Sequence, residues 1–301
     1  MKRFLILLVI LFFAQHSYSQ EIRTNLQTNF DSDKNLLLNH TVGYYQLLGS
    51  NLTLGVFGGY YGVHNNDIVN YYPKAGLYTS YSFLEYDTFE LNLFYIFQNK
   101  TGYDALYRIN PKKWISMDLL SSYTMLDVNI IDNQNNFIMS NGVTVDIIPK
   151  SWVTTTVGYI YQTIEQEIQD IDRNIYIASL NFTFNDTWGF LFNSRIRRMA
   201  DGSPMFFTPN RFDTHTIGAY YGVVLFNENI SLIPSFSVGR QYIKRQSGFR
   251  TDSNIYEIGI RARGWVTANM GFSLNVNYSN ALHSFGSYNN NNILGSLLYK
   301  F

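Results

Sequence analysis

A chain of 301 residues with 22 basic and 22 acidic side chains and no polybasic run offers no electrostatic footprint for nucleic acid. Without cysteine it has no disulfide, no lipoprotein acylation site and no thiolate metal site. Aromatic residues make up 17% of it and charged residues only 15%, against about 25% in ordinary soluble domains, so rings dominate its surface-forming chemistry.

The first segment reads as an export leader. Lys2 and Arg3 form a basic n-region, residues 4–13 an uninterrupted apolar run, and Ser17-Tyr18-Ser19 a small-x-small site. The run is shorter than the roughly 20 residues a membrane helix needs, so a signal peptide over 1–19 is expected, with 20–301 as one mature domain. No later segment approaches the length of a membrane helix, and the mean hydropathy of −0.11 is near neutral. Neutral hydropathy is what results when lipid-facing and lumen-facing residues alternate along strands and cancel.

Period-two alternation begins at once. Ile22, Thr24, Leu26, Thr28 and Phe30 share one face, and Arg23, Asn25, Gln27 and Asn29 the other. Along the chain, Tyr176, Ala178, Leu180, Phe182 and Phe184 oppose Ser179, Asn181 and Thr183. Trp188, Phe190 and Phe192 oppose Asn193, Arg195 and Arg197. Near the end, Met270, Phe272, Leu274, Val276 and Tyr278 oppose Gly271, Ser273, Asn275, Asn277 and Ser279. The last strand places Ile293, Gly295, Leu297, Tyr299 and Phe301 on one face and stops on that terminal ring, as the closing strand of an outer-membrane barrel does.

Turn signals come in two lengths. Short ones fall at 48–51, 84–88, 110–113, 149–151, 185–187, 226–229 and 266–269; longer, more polar ones fall around 31–34, 63–70, 98–102, 132–136, 163–173, 199–211, 245–253 and 282–290. Interleaved, they predict an all-β, transmembrane antiparallel barrel of about sixteen strands with both termini at the short-turn end. If the stretches 102–109 and 114–130 hold one strand pair fewer, the count is fourteen.

Parity then assigns a lumen. Arg23, Lys74, Glu90, Asp118, Asp146, Arg195, Arg197, Glu257, Arg261 and Arg263 all fall on the polar face, where a charge at membrane depth lines water or pairs with another. Arg195 and Arg197 on one strand, and Arg261 and Arg263 on another, suggest a basic ladder with Glu257 as partner. Such charges either brace the interior or select a ligand, and both readings stay open. Tyr78, Phe94, Trp152, Tyr220 and Trp265 also fall inward and offer stacking faces for sugars, although Trp152 and Trp265, beside short turns, fit an interfacial girdle as well.

Catalytic constellations are poor. His16 leaves with the leader, His40 faces lipid or the interface, and His64 and His283 lie in predicted loops. His215 follows Asp213 closely, but a triad needs nucleophile, base and acid brought together by the fold. No metal-ligand spacing or phosphate-cradling glycine loop stands out, so no cofactor and no enzyme activity are expected; a lipid hydrolase is the least favoured reading.

The stretch Met205-Phe206-Phe207-Thr208-Pro209-Asn210-Arg211-Phe212 and the strand after it resemble a segment in the barrels of exopolysaccharide exporters for cellulose and poly-N-acetylglucosamine. Gly239-Arg240-Gln241 and the closing Leu298-Tyr299-Lys300-Phe301 extend the resemblance over about the last hundred residues to the smaller YaiO-type barrels. It implies a sixteen-stranded outer-membrane barrel that passes or binds an anionic or neutral polysaccharide. The large exporters carry a long periplasmic repeat arm, and almost nothing separates Gln20 from the first strand here, so a capture arm would be a separate periplasmic protein or absent.

The expected function is therefore a porin-like pore or export channel for polysaccharide or another hydrophilic solute, located in the bacterial outer membrane. The alternative is a closed structural or adhesion barrel. Expected partners are membrane lipid and lipopolysaccharide and the barrel-insertion machinery, which would read Tyr299 and Phe301, but no nucleic acid.

Overall fold

The computed structural model describes residues 19–30, 36–65, 68–83, 87–96, 100–125, 137–165, 170–184, 187–199, 209–226, 229–282 and 289–301. The expected leader, the loop residues Phe206, Phe207 and Thr208, and His283 lie outside them. Strand β1 runs Gln20–Phe30, β2 Leu36–Leu48, β3 Leu52–Asn65, β4 Ile68–Ser82, β5 Thr88–Ile96 and β6 Lys100–Lys112. Then come β7 Ile115–Met125, β8 Phe137–Lys150, β9 Val153–Glu165, β10 Ile171–Phe184 and β11 Trp188–Met199. The last are β12 Arg211–Tyr221, β13 Val223–Leu225, β14 Ile230–Lys244, β15 Arg250–Trp265, β16 Met270–Ser279 and β17 Asn290–Lys300.

Each strand pairs antiparallel with its sequence neighbours, and β1 pairs with both β2 and β17, which closes the sheet on itself. Because β12 and β13 both lie along β14, the wall has sixteen staves. The uncertain stretch resolves into β6 and β7, which removes the fourteen-strand alternative.

Local chemistry explains the irregularities. Pro234 of β14 has no N–H to give a neighbour, and the partner stave breaks beside it: the register runs to Tyr220↔Ser235 and resumes at Val223↔Leu232, skipping Tyr221 and Gly222. Pro111 and Pro149 fall inside the two register shifts, between Ile109 and Lys112 and between Ile147 and Lys150, each beside a short turn. The turn after β2 uses Gly49 at φ 68°, a left-handed conformation that favours glycine.

Parity sorts the side chains as the sequence predicts. Ile22, Leu26, Val42, Val56, Leu77, Leu93, Val157, Phe190 and Ile258 are all outward and exposed. Rings bound this apolar zone on both sides. At the short-turn end Phe83 lies 4.7 Å from Tyr81 and 6.0 Å from Tyr107, Trp188 lies 4.6 Å from Phe184, and Phe301 lies 5.0 Å from Tyr299. At the long-loop end the pairs are His40–Tyr60, Tyr60–Tyr71, Tyr159–Tyr176 and Tyr256–Tyr278. An apolar outer band between two aromatic belts is the surface a lipid bilayer requires of a barrel.

Almost all the buried apolar side chains lie at the long-loop end. Leu37, Tyr61, Tyr72, Phe94 and Phe137 form one cluster; Phe212, Ile243 and Leu282 form another. Ile164, Ile171 and Ile175 are also buried there. The barrel therefore carries an apolar collar at one mouth and polar walls below it.

Candidate functional site in the charged lumen

The inward charges sort by sign around the barrel. Glu90, Asp104, Asp118 and Asp146 lie on consecutive staves β5 to β8, with Arg108 held by Asp118 through two hydrogen bonds of 2.8 and 2.7 Å. Asp146 accepts from Thr156 Oγ1 at 2.5 Å. Near the same wall Lys74 Nζ lies 3.9 Å from the centroid of the Phe94 ring. Arg173, Arg195, Arg197, Arg261 and Arg263 lie on β10, β11 and β15. With sixteen staves, β15 stands roughly opposite β6, so Arg261 and Arg263 face the acidic wall across the lumen.

Two cavities divide the basic wall by height. Near the long-loop end, Arg195, Arg197, Phe212, Thr214, Gln241 and Glu257 help to line a cavity of about 320 Å³. Its roof is the chain leaving β16: Gln241 donates from Nε2 to the Leu282 carbonyl and accepts from the Leu282 N–H at Oε1, both at 2.9 Å. At the short-turn end, Arg263, Trp265, Gly271, Ser231 and Ser296 border a second cavity of about 460 Å³. There the Lys300 ammonium stands 4.9 Å from the Trp265 ring.

The expected basic ladder is thus split: Arg195 and Arg197 border one cavity and Arg263 the other. Glu257 does not pair with Arg261 or Arg263; it accepts from Ser237 Oγ at 3.0 Å, since Ser237 is its direct cross-strand neighbour and the arginines lie farther down the stave. Tyr220 does face inward, with its hydroxyl 2.6 Å from Thr183 Oγ1 on β10, two staves away. The ring can cross β11 because Gly189 lies beneath it, where a Cβ would come within 2.5 Å of the tyrosine oxygen.

Other inward rings need correction. Phe94 is 2% exposed and belongs to the collar, so it offers no stacking face. Trp152 stacks on outward-facing Phe182 with centroids 6.1 Å apart and belongs to the girdle. Tyr78 packs edge-on against Tyr45 at 5.3 Å, and Trp265 remains inward. Within the loop motif, Pro209 is buried, whereas Arg211 faces outward, donating to Asp213 at 2.5 Å and lying 4.9 Å from the Tyr242 ring. Tyr299 and Phe301 are exposed in the short-turn belt, and the Phe301 N–H closes onto the Gln20 carbonyl at 3.0 Å.

The histidines hold one surprise. His64 sits in β3 rather than in a loop, and His40 faces outward, 3.1 Å from Thr24 Oγ1. His215 faces outward with Nδ1 2.9 Å from Ser194 Oγ, a contact between strands that sequence adjacency does not reveal. Both carboxylate oxygens of nearby Asp213 are taken by Arg198 and Arg211, so this acid does not orient the imidazole. Arg173, Asp104 and Arg108 are lumen charges that the sequence reading passed over. The strand register that places them inward was their available signal.

No family model matches the chain, and no curated protein does. Its fold is similar to a solved structure described as a bacterial polysaccharide outer membrane secretin, with TM-score 0.74 and 11% identity over 94% of this chain and 98% of that one. Pseudomonas aeruginosa OccD3 (OpdP) aligns with TM-score 0.50 and 9% identity over 95% and 92%. OmpF of Salmonella typhi aligns with TM-score 0.48 and 13% identity over 94% and 97%. At such identities the likeness is one of fold: this chain is a closed antiparallel sixteen-stranded β-barrel of the kind found in outer-membrane proteins.

Proposed function

We propose that the chain is an outer-membrane channel for a hydrophilic solute, with polysaccharide as the solute class. The observation that carries this reading is the polar, oppositely charged interior of a closed barrel whose exterior is apolar. Charges kept inside an apolar wall are costly unless they line water or bind something. Fold likeness to the polysaccharide secretin and the sequence resemblance to YaiO-type and exopolysaccharide-export barrels support the solute class. In this reading the short turns face the periplasm, lipid and lipopolysaccharide contact the outer band, and polysaccharide arrives from a separate periplasmic capture protein.

The collar favours a second reading, a structural or adhesion barrel closed at its outer mouth. Planar-bilayer recordings of the refolded chain separate the two. A channel gives discrete unit conductance that falls when a long oligosaccharide is added; the closed barrel gives a flat baseline despite correct folding.

A further inference from the structure

The arginines near the outer mouth are the least explained charges in the molecule. Arg197 has Nε and Nη1 both inaccessible and without a hydrogen-bond acceptor among the described residues, and its guanidinium lies 4.9 Å from the Phe212 ring. Arg195 is one inward position below it, exposed to the lumen and bordering the same cavity. Arg173 is 7% exposed; its Nε donates to the Gln162 side-chain oxygen at 2.7 Å, and it is the diagonal neighbour of Arg197 across the β10–β11 pair. Among the described residues no carboxylate forms an ion pair with any of the three. Three neighbouring cations repel one another, and unsatisfied guanidinium N–H groups away from water are expensive. A protein that only needed to brace its wall would place an acid here, as it does at Arg108 and Asp118.

We infer that this cavity binds the carboxylate of an acidic sugar, a hexuronate unit within a polysaccharide, on the lumen-exposed Arg195 guanidinium, with Arg197 and Arg173 adding positive charge behind it. The inference rests on the channel reading and specifies its solute. Guanidinium presents paired N–H groups that match a planar carboxylate. The remaining lining suits the rest of a sugar: Phe212 supplies an apolar ring, Thr214 and Asn193 are polar side chains, and Glu257 is an acceptor for hydroxyls. Glu257 also weighs against a doubly charged phosphate, which it would repel. A volume near 320 Å³ lies at the small end of ligand sites, appropriate to one unit of a threaded chain.

The test uses the refolded mature chain in detergent micelles and in planar bilayers. Titration calorimetry in micelles compares tetragalacturonate with cellotetraose, a neutral sugar of equal length, and with inorganic phosphate. Tetragalacturonate should bind, and the neutral sugar and phosphate should bind at least about tenfold more weakly. Arg195→Gln with Arg197→Gln should weaken tetragalacturonate by at least about tenfold, whereas Arg240→Gln, outward and exposed, should not. Arg195→Gln alone, at the lumen-exposed position, provides the same comparison with less risk to folding. Equal binding of the charged and neutral sugars, or undiminished binding to a folded Arg195→Gln protein, overturns the site. Bilayer recordings report separately on the channel: conductance without uronate binding sinks this site and leaves the pore standing, while uronate binding without conductance sinks the pore.

Discussion

Adjacent residues on one strand experience different solvents. Val276 is outward in the middle of β16, while Asn275 is inward and accepts from the Asn277 side chain at 3.0 Å. An arginine at Val276 should therefore cost about 2–4 kcal/mol if that position lies near the bilayer midplane, and one at Asn275 should cost little. Unfolding titrations in lipid vesicles check the contrast, and equal losses at both positions would contradict the assigned faces. Packing across the inner wall is as specific. Gly189 lets the Tyr220 ring reach Thr183, and a Cβ there would meet both that ring and the Phe182 carbonyl. Gly189→Val should lower the urea midpoint of the folded barrel, whereas Tyr220→Phe, which removes only the hydroxyl contact, should cost no more than about 0.5–1.5 kcal/mol of stability. A Gly189→Val protein as stable as the parent would show that the close approach is not needed.

Strands were far more legible than the contacts between them. An outward row such as Ile22, Leu26 and Phe30 writes its face into the sequence because one side must be apolar. The short turns stood out because Gly49, Pro111 and Pro149 break alternation for local steric reasons. Partner choice is different: the Ser194–His215 contact, the Tyr220–Thr183 bridge and the lack of a partner for Arg197 among the described residues depend on register between staves, which no single strand encodes. The same limit explains why Phe94 read as a sugar platform although it is packed into the collar. The closing strand can be tested as an element. β17 is stitched to β1 from Glu21↔Lys300 to Phe30↔Asn291, and Phe301 ends in the aromatic belt, bonded to Gln20. Phe301→Ala should reduce the heat-modifiable, SDS-resistant band in outer membranes and leave unfolded chain in the periplasm, since the ring anchors the last strand at the interface. A wild-type band from that variant would remove the aromatic terminus from any role in assembly.

At the scale of the whole barrel, the sorting of charge sets the field that a solute meets. The acids of β5 to β8 are partly neutralised by Arg108, whereas Arg195, Arg197, Arg261 and Arg263 have no ion-pair partner among the described residues. Other nearby cations do not contribute directly to the lumen: Arg211, Arg240, Lys244 and Arg250 sit at outward positions on β12, β14 and β15. A low-dielectric wall focuses the potential of inward charges along the conduit and enriches ions of opposite sign. On the proposed channel reading, the pore should therefore prefer anions. Arg195→Ser combined with Arg261→Ser removes one cation near each end of the basic wall and should move the reversal potential in a salt gradient toward that of a cation-preferring pore. The shift should shrink at 1 M salt, where the Debye length is about 3 Å, compared with 0.1 M, where it is about 10 Å. A purely bracing role predicts loss of folded barrel with unaltered selectivity in the surviving channels. Measuring folded yield beside reversal potential distinguishes these outcomes, and an unchanged potential in a well-folded double variant would show that these arginines do not govern permeation.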